Sequence, residues 1–348
     1  MPLVAHRPLE SLQRIQKEGQ EVLDIRRAHS QDIRELHIGL LNMMPDGALQ
    51  ATERQFLRLI GNSNRIAQFY VHIFTIEGVP RSPEMQAYID ENYEKFSDLA
   101  EQGLDALIVT GTNPVHQHLS DEPYVDEIRK IFRWADDNVT SVVCSCLASH
   151  AAFEIFYGIK RQPLAQKLFG VFEHRVLDKK HPLLSNINTR FDMPHSRRND
   201  VSAAQMQAHG LKVLVAGKES GVALATSPDG FRQIYLQGHP EYDVQSLLKE
   251  YQRDAVLYQA GKLSYQPALP AHYFNEHAQA LIDAYLRGDS DFPVEALTEE
   301  IDITWRDTAK GIFANWLGLI YELTHYDRRL QFMDGIDPND PLAGKRHD

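Results

Sequence analysis

The strongest constraint on how this chain can fold is a repeated order of apolar strand, tight turn and helix. Residues 36–42 (Leu-His-Ile-Gly-Leu-Leu-Asn) read as a buried strand closed by Met43-Met44-Pro45-Asp46-Gly47. Leu49, Phe56, Leu57 and Ile60 then recur at helical spacing across 49–61, and 70–75 alternates as a second strand. A helical stretch over 84–102 leads to the strand 104–109, which stops at Thr110-Gly111-Thr112-Asn113-Pro114. Helix over 122–137, strand over 141–145 and helix over 147–157, closed by Gly158, complete the series. This order predicts an α/β fold with a mostly parallel sheet, helices on both faces, and ligands gathered at the carboxyl ends of the strands.

Further strands are expected at 211–216, 222–227 and 233–237, and further helices near 243–260, 273–287 and 306–325. We divide the chain into an N-terminal extension (1–34), a catalytic α/β domain (35–287) and a C-terminal helical segment with a tail (288–348), the boundary falling in Gly-Asp-Ser-Asp-Phe-Pro-Val. Trp305, Trp316, Leu317, Ile320 and Tyr321 make that last segment amphipathic, so it should pack on the main domain or on a second copy, and a homodimer is expected.

The net charge of -12, without clustered Lys and Arg, argues against a nucleic-acid surface. No stretch approaches a membrane span, and the N-terminus lacks an apolar signal core. Cys144 and Cys146, two apart in one extended run, are poorly placed to bond to each other. A cytoplasmic enzyme acting on small molecules is the expectation.

Cys146 follows a strand and precedes a helix, so its sulfur should project from a sharp turn beside the positive end of a helix. Glycines usually frame such a turn, whereas here the window is Cys144-Ser145-Cys146-Leu147-Ala148-Ser149. Inert core thiols are the plain alternative, and it fits Cys144, which should still lie within the strand. Gln237-Gly238-His239-Pro240-Glu241 sits at another strand end, where His239 would serve as base and Glu241 would orient it. An acyl thioester formed on Cys146 needs oxyanion donors, for which the Leu147 amide and the Gly111-Thr112 turn are candidates. Ser196, in His195-Ser196-Arg197-Arg198, suits substrate contact, and Arg253 suits a bidentate grip on a carboxylate. Glu173, His174 and His195 lack helical zinc-ligand spacing, so neither a metal nor any other cofactor is expected.

Several stretches together resemble the homoserine O-succinyltransferase family. They are Leu-Leu-Asn-Met-Met-Pro at 40–45, Gln-Phe-Leu-Arg-Leu at 55–59, Val109-Thr110-Gly111, Tyr157-Gly158-Ile159, Pro194-His195-Ser196-Arg197 and Gly238-His239-Pro240-Glu241-Tyr242-Asp243. The resemblance implies a flavodoxin-like fold similar to class I glutamine amidotransferases. It also implies acyl transfer from acyl-CoA, as co-substrate, to L-homoserine at the first committed step of methionine biosynthesis. The acyl-accepting cysteine then falls on Cys146, the base on His239 and its partner on Glu241, while Lys167, Ser196 and Arg253 become substrate contacts. The family's acyl selector, glycine for succinyl and glutamate for acetyl, falls on Val115. With no acidic residue there, succinyl-CoA is favoured over acetyl-CoA. A homoserine or serine O-acetyltransferase, a glutaminase using the same three residues, and a binding protein without thiol reactivity are the rival readings.

Overall fold

The computed structural model describes residues 3–345 apart from residues 32, 64–66 and 117. In chain order the elements are β1 (Leu3–Ala5), α1 (Glu10–Lys17), β2 (Val22–Asp24), α2 (Ile25–His29), β3 (Glu35–Leu41), α3 (Asp46–Ser63) and β4 (Gln68–Phe74). Next come α4 (Pro83–Asn92), α5 (Phe96–Gln102), β5 (Ala106–Val109), α6 (Val125–Asn138), β6 (Ser141–Ser145), α7 (Leu147–Tyr157), β7 (Gln162–Val176) and β8 (Arg190–Asp200). The last are α8 (Ala203–Ala208), β9 (Lys212–Gly217), β10 (Gly221–Thr226), β11 (Gln233–Leu236), α9 (Ser246–Gln259), α10 (Glu276–Arg287), α11 (Val294–Glu299) and α12 (Arg306–Leu323).

All strands join one sheet in the order β2-β1-β4-β3-β5-β6-β11-β10-β9-β7-β8. From β2 to β11 each neighbouring pair is parallel; from β11 to β8 each is antiparallel. The mostly parallel α/β architecture expected from the strand-turn-helix order is therefore present. Two regions differ from the sequence reading. The N-terminal segment supplies two edge strands, and the 162–200 stretch forms the long hairpin β7–β8. Neither has the local signature of a buried strand: β1 and β2 are three residues long, and the first half of β7 is largely exposed.

Side-chain alternation along the central strands divides the core between the two faces, as a period of two requires. In β5, Ala106 and Ile108 face a cluster with Phe56, Ile60, Phe313 and Trp316. Leu107 and Val109 face the opposite cluster with Ile131, Phe132, Phe153 and Tyr235. Helices α3 and α12 thus cover one face, and α6 and α7 the other. Gly39 in β3 fits this scheme because a Cβ there would stand 2.7 Å from Leu104 Cδ1 and 3.0 Å from Leu107 Cδ1.

A third cluster, including Phe169, Leu248, Tyr251, Phe274 and Trp305, packs α9 to α11 against the hairpin. The C-terminal amphipathic face is consumed within the chain itself: Trp305 and Trp316 are buried, and Trp316 Nε1 donates to Ser141 Oγ at 2.9 Å. That face consequently offers no argument for a second subunit.

Candidate active site

Three neighbouring parallel strands, β5, β6 and β11, end on one edge of the sheet, and each continues into a functional segment. Val109 pairs with Cys144 and Leu236 with Ser145, so the turns after 109, 145 and 236 lie side by side. Cys146 begins α7 with φ 52 and ψ -112, a backbone state that L residues seldom adopt and that costs about 1–3 kcal/mol. Its own amide donates to the Leu236 carbonyl at 2.7 Å, and Ser149 Oγ donates to the carbonyls of Cys144 at 2.7 Å and Leu236 at 3.1 Å. These bonds hold the sharp turn without flanking glycines.

Cys144, one turn earlier, is buried within β6, and burial alone pushes its thiol far above the ordinary range. The two cysteines therefore differ as expected: one inert and enclosed, the other at the strand end on the wall of a cleft.

His239 Nδ1 lies 2.8 Å from Glu241 Oε1, and Ser145 Oγ donates to the same oxygen at 3.5 Å. The pairing assigns the Nδ1 proton to the carboxylate side and turns Nε2, which has no other hydrogen-bond partner among the described residues, toward the thiol. Burial disfavours the imidazolium, but the charge of Glu241 and then that of Cys146 outweigh it and hold His239 well above its ordinary pKa. The backbone is fixed too, since the His239 amide donates to the Pro194 carbonyl of β8 at 2.8 Å. Gly238 is required for that approach: a Cβ there would collide with Met193 Sδ and stand 3.0 Å from His195 Nε2.

The cleft measures about 1440 Å³. Its wall includes Cys146, His239 and Glu241, the proposed oxyanion donors Leu147 and Thr112, and the proposed substrate contacts Lys167, Ser196 and Arg253. Leu147 opens α7, where backbone amides lack intrahelical partners. A Cβ on Gly111 would stand 3.4 Å from that amide nitrogen, in the space an oxyanion would occupy.

Lys167 and Ser196 converge on a residue that sequence reasoning missed. Glu250 on α9 accepts from Lys167 Nζ at 3.0 Å, from Ser196 Oγ at 2.6 Å and from Tyr242 Oη at 2.9 Å. Burial would raise its carboxyl, but the Lys167 charge and the Ser196 and Lys167 hydrogen bonds prevail and keep it below the usual range. Tyr242 also stacks on His239 with ring centroids 4.2 Å apart, so it joins the Glu250 cluster to the His239–Glu241 pair. One signal for Glu250 existed: it lies three residues before Arg253, on the same helical face.

Val115 is the exception. Its side chain is 77% exposed, and it lies between two residues of the cleft wall, Pro114 and His116, without lining the wall itself. The neighbouring cleft wall is made by Pro114, His116 and Arg161. His174 and His195 form a buried pair beneath the hairpin, 3.0 Å apart, while Glu173 turns outward toward Arg175 and Arg190. These three do not converge as metal ligands.

The charge of the cleft is opposite to that of the chain. Arg14, Arg54, Arg58, Lys249, Arg253 and Arg306 lie along it with Arg161, Lys167, Arg197 and Arg198, against Glu241, Asp243, Glu250 and Asp254. A cationic cleft in a chain of net charge -12 favours a polyanionic substrate.

The sequence profile of the homoserine O-succinyltransferase family matches residues 2–326. A Cardiobacterium hominis protein named homoserine O-succinyltransferase is 68% identical, the match covering 99% of this chain and 100% of the relative. One of the same name from Methylobacter tundripaludum is 53% identical over 99% of this chain and 100% of its own length. Among solved structures, a glutamine amidotransferase from Thermotoga maritima superposes with TM-score 0.44 at 11% identity, covering 84% of this chain and 99% of that one.

Proposed function

The chain belongs to the homoserine O-succinyltransferase family and is an acyltransferase, and from that premise we propose that it moves a succinyl group from succinyl-CoA to the hydroxyl of L-homoserine through a thioester on Cys146. The observation that carries this reading is Cys146 on its strained turn at the cleft it shares with His239, whose Nδ1 lies 2.8 Å from Glu241.

Against burial, the charge of Glu241 raises the His239 pKa, which supports a role for its imidazole in taking the Cys146 proton and passing it on. The Cys146 thiolate attacks the thioester carbonyl of succinyl-CoA, forming an S–C bond and an oxyanion received by the Leu147 amide and the 111–112 turn. One such donor is worth roughly 10²–10³ in kcat. The intermediate collapses by breaking the bond to the CoA sulfur, which takes the proton from His239. Neutral His239 then accepts the homoserine hydroxyl proton as that oxygen attacks the Cys146 thioester, and the thiolate and imidazolium are restored.

Recognition follows from charge. The phosphates of CoA suit the cationic outer wall, and the homoserine carboxylate and ammonium suit Arg253 and Glu250. Arg161, a cation on the wall of the same cleft as Cys146, is suited to receive a distal carboxylate, which supports succinyl over acetyl. The product places the enzyme at the entry to methionine biosynthesis.

The direct test is to mix the protein with succinyl-CoA without acceptor and identify the modified peptide by mass spectrometry. A succinyl adduct on Cys146, cleared by homoserine, is expected. A Cys146→Ser variant with full transferase activity would overturn the mechanism, and release of ammonia from glutamine without transfer would favour an amidase.

A further inference from the structure

Away from the cleft, at the parallel edge of the sheet, three ligand-bearing side chains from distant parts of the sequence meet. His6 follows β1, His72 lies within β4, and Glu94 follows α4. One ligand atom from each falls within 4.8 Å of the other two, and none of the three residues lines the cleft. Glu94 Oε1 is 3.0 Å from His72 Nδ1 and 3.6 Å from His6 Nε2. A tetrahedral ion with bonds of about 2.0–2.1 Å spaces its ligands roughly 3.3 Å apart, so small side-chain rotations suffice.

The hydrogen bonds leave the same atoms available. His6 Nδ1 lies 3.2 Å from the Val4 carbonyl and can only donate to it, which directs Nε2 toward Glu94. That Nε2 is buried and, among the described residues, has no hydrogen-bond partner, Glu94 Oε1 lying 3.6 Å away. A buried acceptor without a donor carries a cost that a cation would remove.

His72 Nε2 is 2.8 Å from His37 Nδ1, and His37 Nε2 is 3.4 Å from Glu35 Oε2. In the arrangement seen, His72 Nδ1 donates to Glu94 Oε1 at 3.0 Å; in the other tautomer, with each ring donating outward toward Glu35, Nδ1 is freed to bind an ion held by Glu94. Metal-binding histidines commonly give their second N–H to such a chain ending in a carboxylate. Two cations oppose an ion here: Arg7 Nε lies 3.7 Å from Glu94 Oε1, and the Arg328 charge acts on both inner histidines. Arg7 is 45% exposed and can turn away into solvent.

We propose that His6, His72 and Glu94 form a site for a divalent transition metal ion, zinc in type, that ties β1, next to the edge of the sheet, to β4 and to the segment after α4. Three protein ligands leave a fourth position for water. The mechanical rationale is the weakness of this edge, because β1 pairs with β4 at one residue, Leu3 with Phe69.

The test is equilibrium dialysis of the full chain against Zn²⁺, using a Cys146→Ser background so that the catalytic thiol cannot bind the ion. One equivalent per chain is expected, together with a zinc-dependent rise in Tm. His6→Ala and Glu94→Gln should each weaken binding by well over the ~10-fold that loss of a supporting outer partner costs, and His37→Gln by about that amount. His6→Ala in the otherwise native chain should retain transferase activity, which shows that it folds. Absence of zinc binding by the Cys146→Ser chain, or binding unchanged in both His6→Ala and Glu94→Gln, would overturn the site.

Discussion

Glu241→Gln isolates what the carboxylate does for His239. Glutamine keeps an oxygen able to accept from Nδ1 at the 2.8 Å separation, so the ring orientation survives while the negative charge is lost. The His239 side chain is only 10% exposed and that of Glu241 4%, so solvent screens the pair little. A hydrogen bond to a charged group is worth about 1.5–3 kcal/mol, and 1.36 kcal/mol corresponds to one pKa unit. His239 should therefore titrate lower in the variant, by no more than that bond's charge-dependent part.

The sign follows from the direction of the shift. A raised pKa keeps the imidazolium, the acid that protonates departing CoA, populated until pH rises through that value. Lowering it moves the alkaline limb of CoA release in the first turnover toward neutral pH. The same linkage predicts a stability contribution present in full below about pH 6.5 and lost as pH passes the folded His239 value. The Tm difference between wild type and variant should therefore narrow in alkali. Rapid-quench measurement of CoA release from pH 6 upward, with parallel melting curves, reads both effects. A folded Glu241→Gln enzyme with an unmoved alkaline limb would refute the electrostatic role.

Glu250→Gln removes the charge on which Lys167 and Ser196 converge, and should raise KM for homoserine by roughly 10- to 100-fold with a smaller change in kcat, as read by initial rates at saturating succinyl-CoA. Val115→Gly should alter the succinyl-to-acetyl ratio by no more than about twofold in competition assays, because the side chain lies outside the cleft and surface changes are usually within about 0.5 kcal/mol. Arg161→Met should lower kcat/KM for succinyl-CoA while sparing acetyl-CoA. Trp316→Ala empties a buried site between α12 and the sheet and removes the donor to Ser141 Oγ, which keeps its own bond to the Phe231 carbonyl, so urea unfolding should show a loss of about 3–5 kcal/mol.

What was legible in the sequence tracks the range of the interactions that make each part. Residues 141–145 and 147–157 are β6 and α7, because an apolar run followed by helical spacing and a terminal glycine is local information. The 84–102 stretch divides into α4 and α5, since its periodicity does not reveal the break at Tyr93. The β7–β8 hairpin was not visible. Its exposed first half has no core to alternate against, and the pairing partners lie far apart, as with Phe169 opposite Ser196. Strands β1 and β2 were hidden for a similar reason, being short and defined by their neighbours.

The same division runs through the active site. Cys146, His239 and the 110–112 turn sit at the ends of parallel strands, where rigid neighbours fix their spacing and where sequence pattern alone places them. Lys167 and Ser196 come from the antiparallel hairpin, and Glu250 and Arg253 from a helix packed over it. Tyr242 couples the halves by stacking on His239 and bonding Glu250, and Trp305 from the C-terminal segment holds it by donating to its carbonyl at 2.9 Å. The proposed catalytic residues thus sit in the part of the fold written in local periodicity. The proposed substrate contacts are assembled by long-range packing, which is why Glu250 and Arg161 went unseen while Cys146 did not.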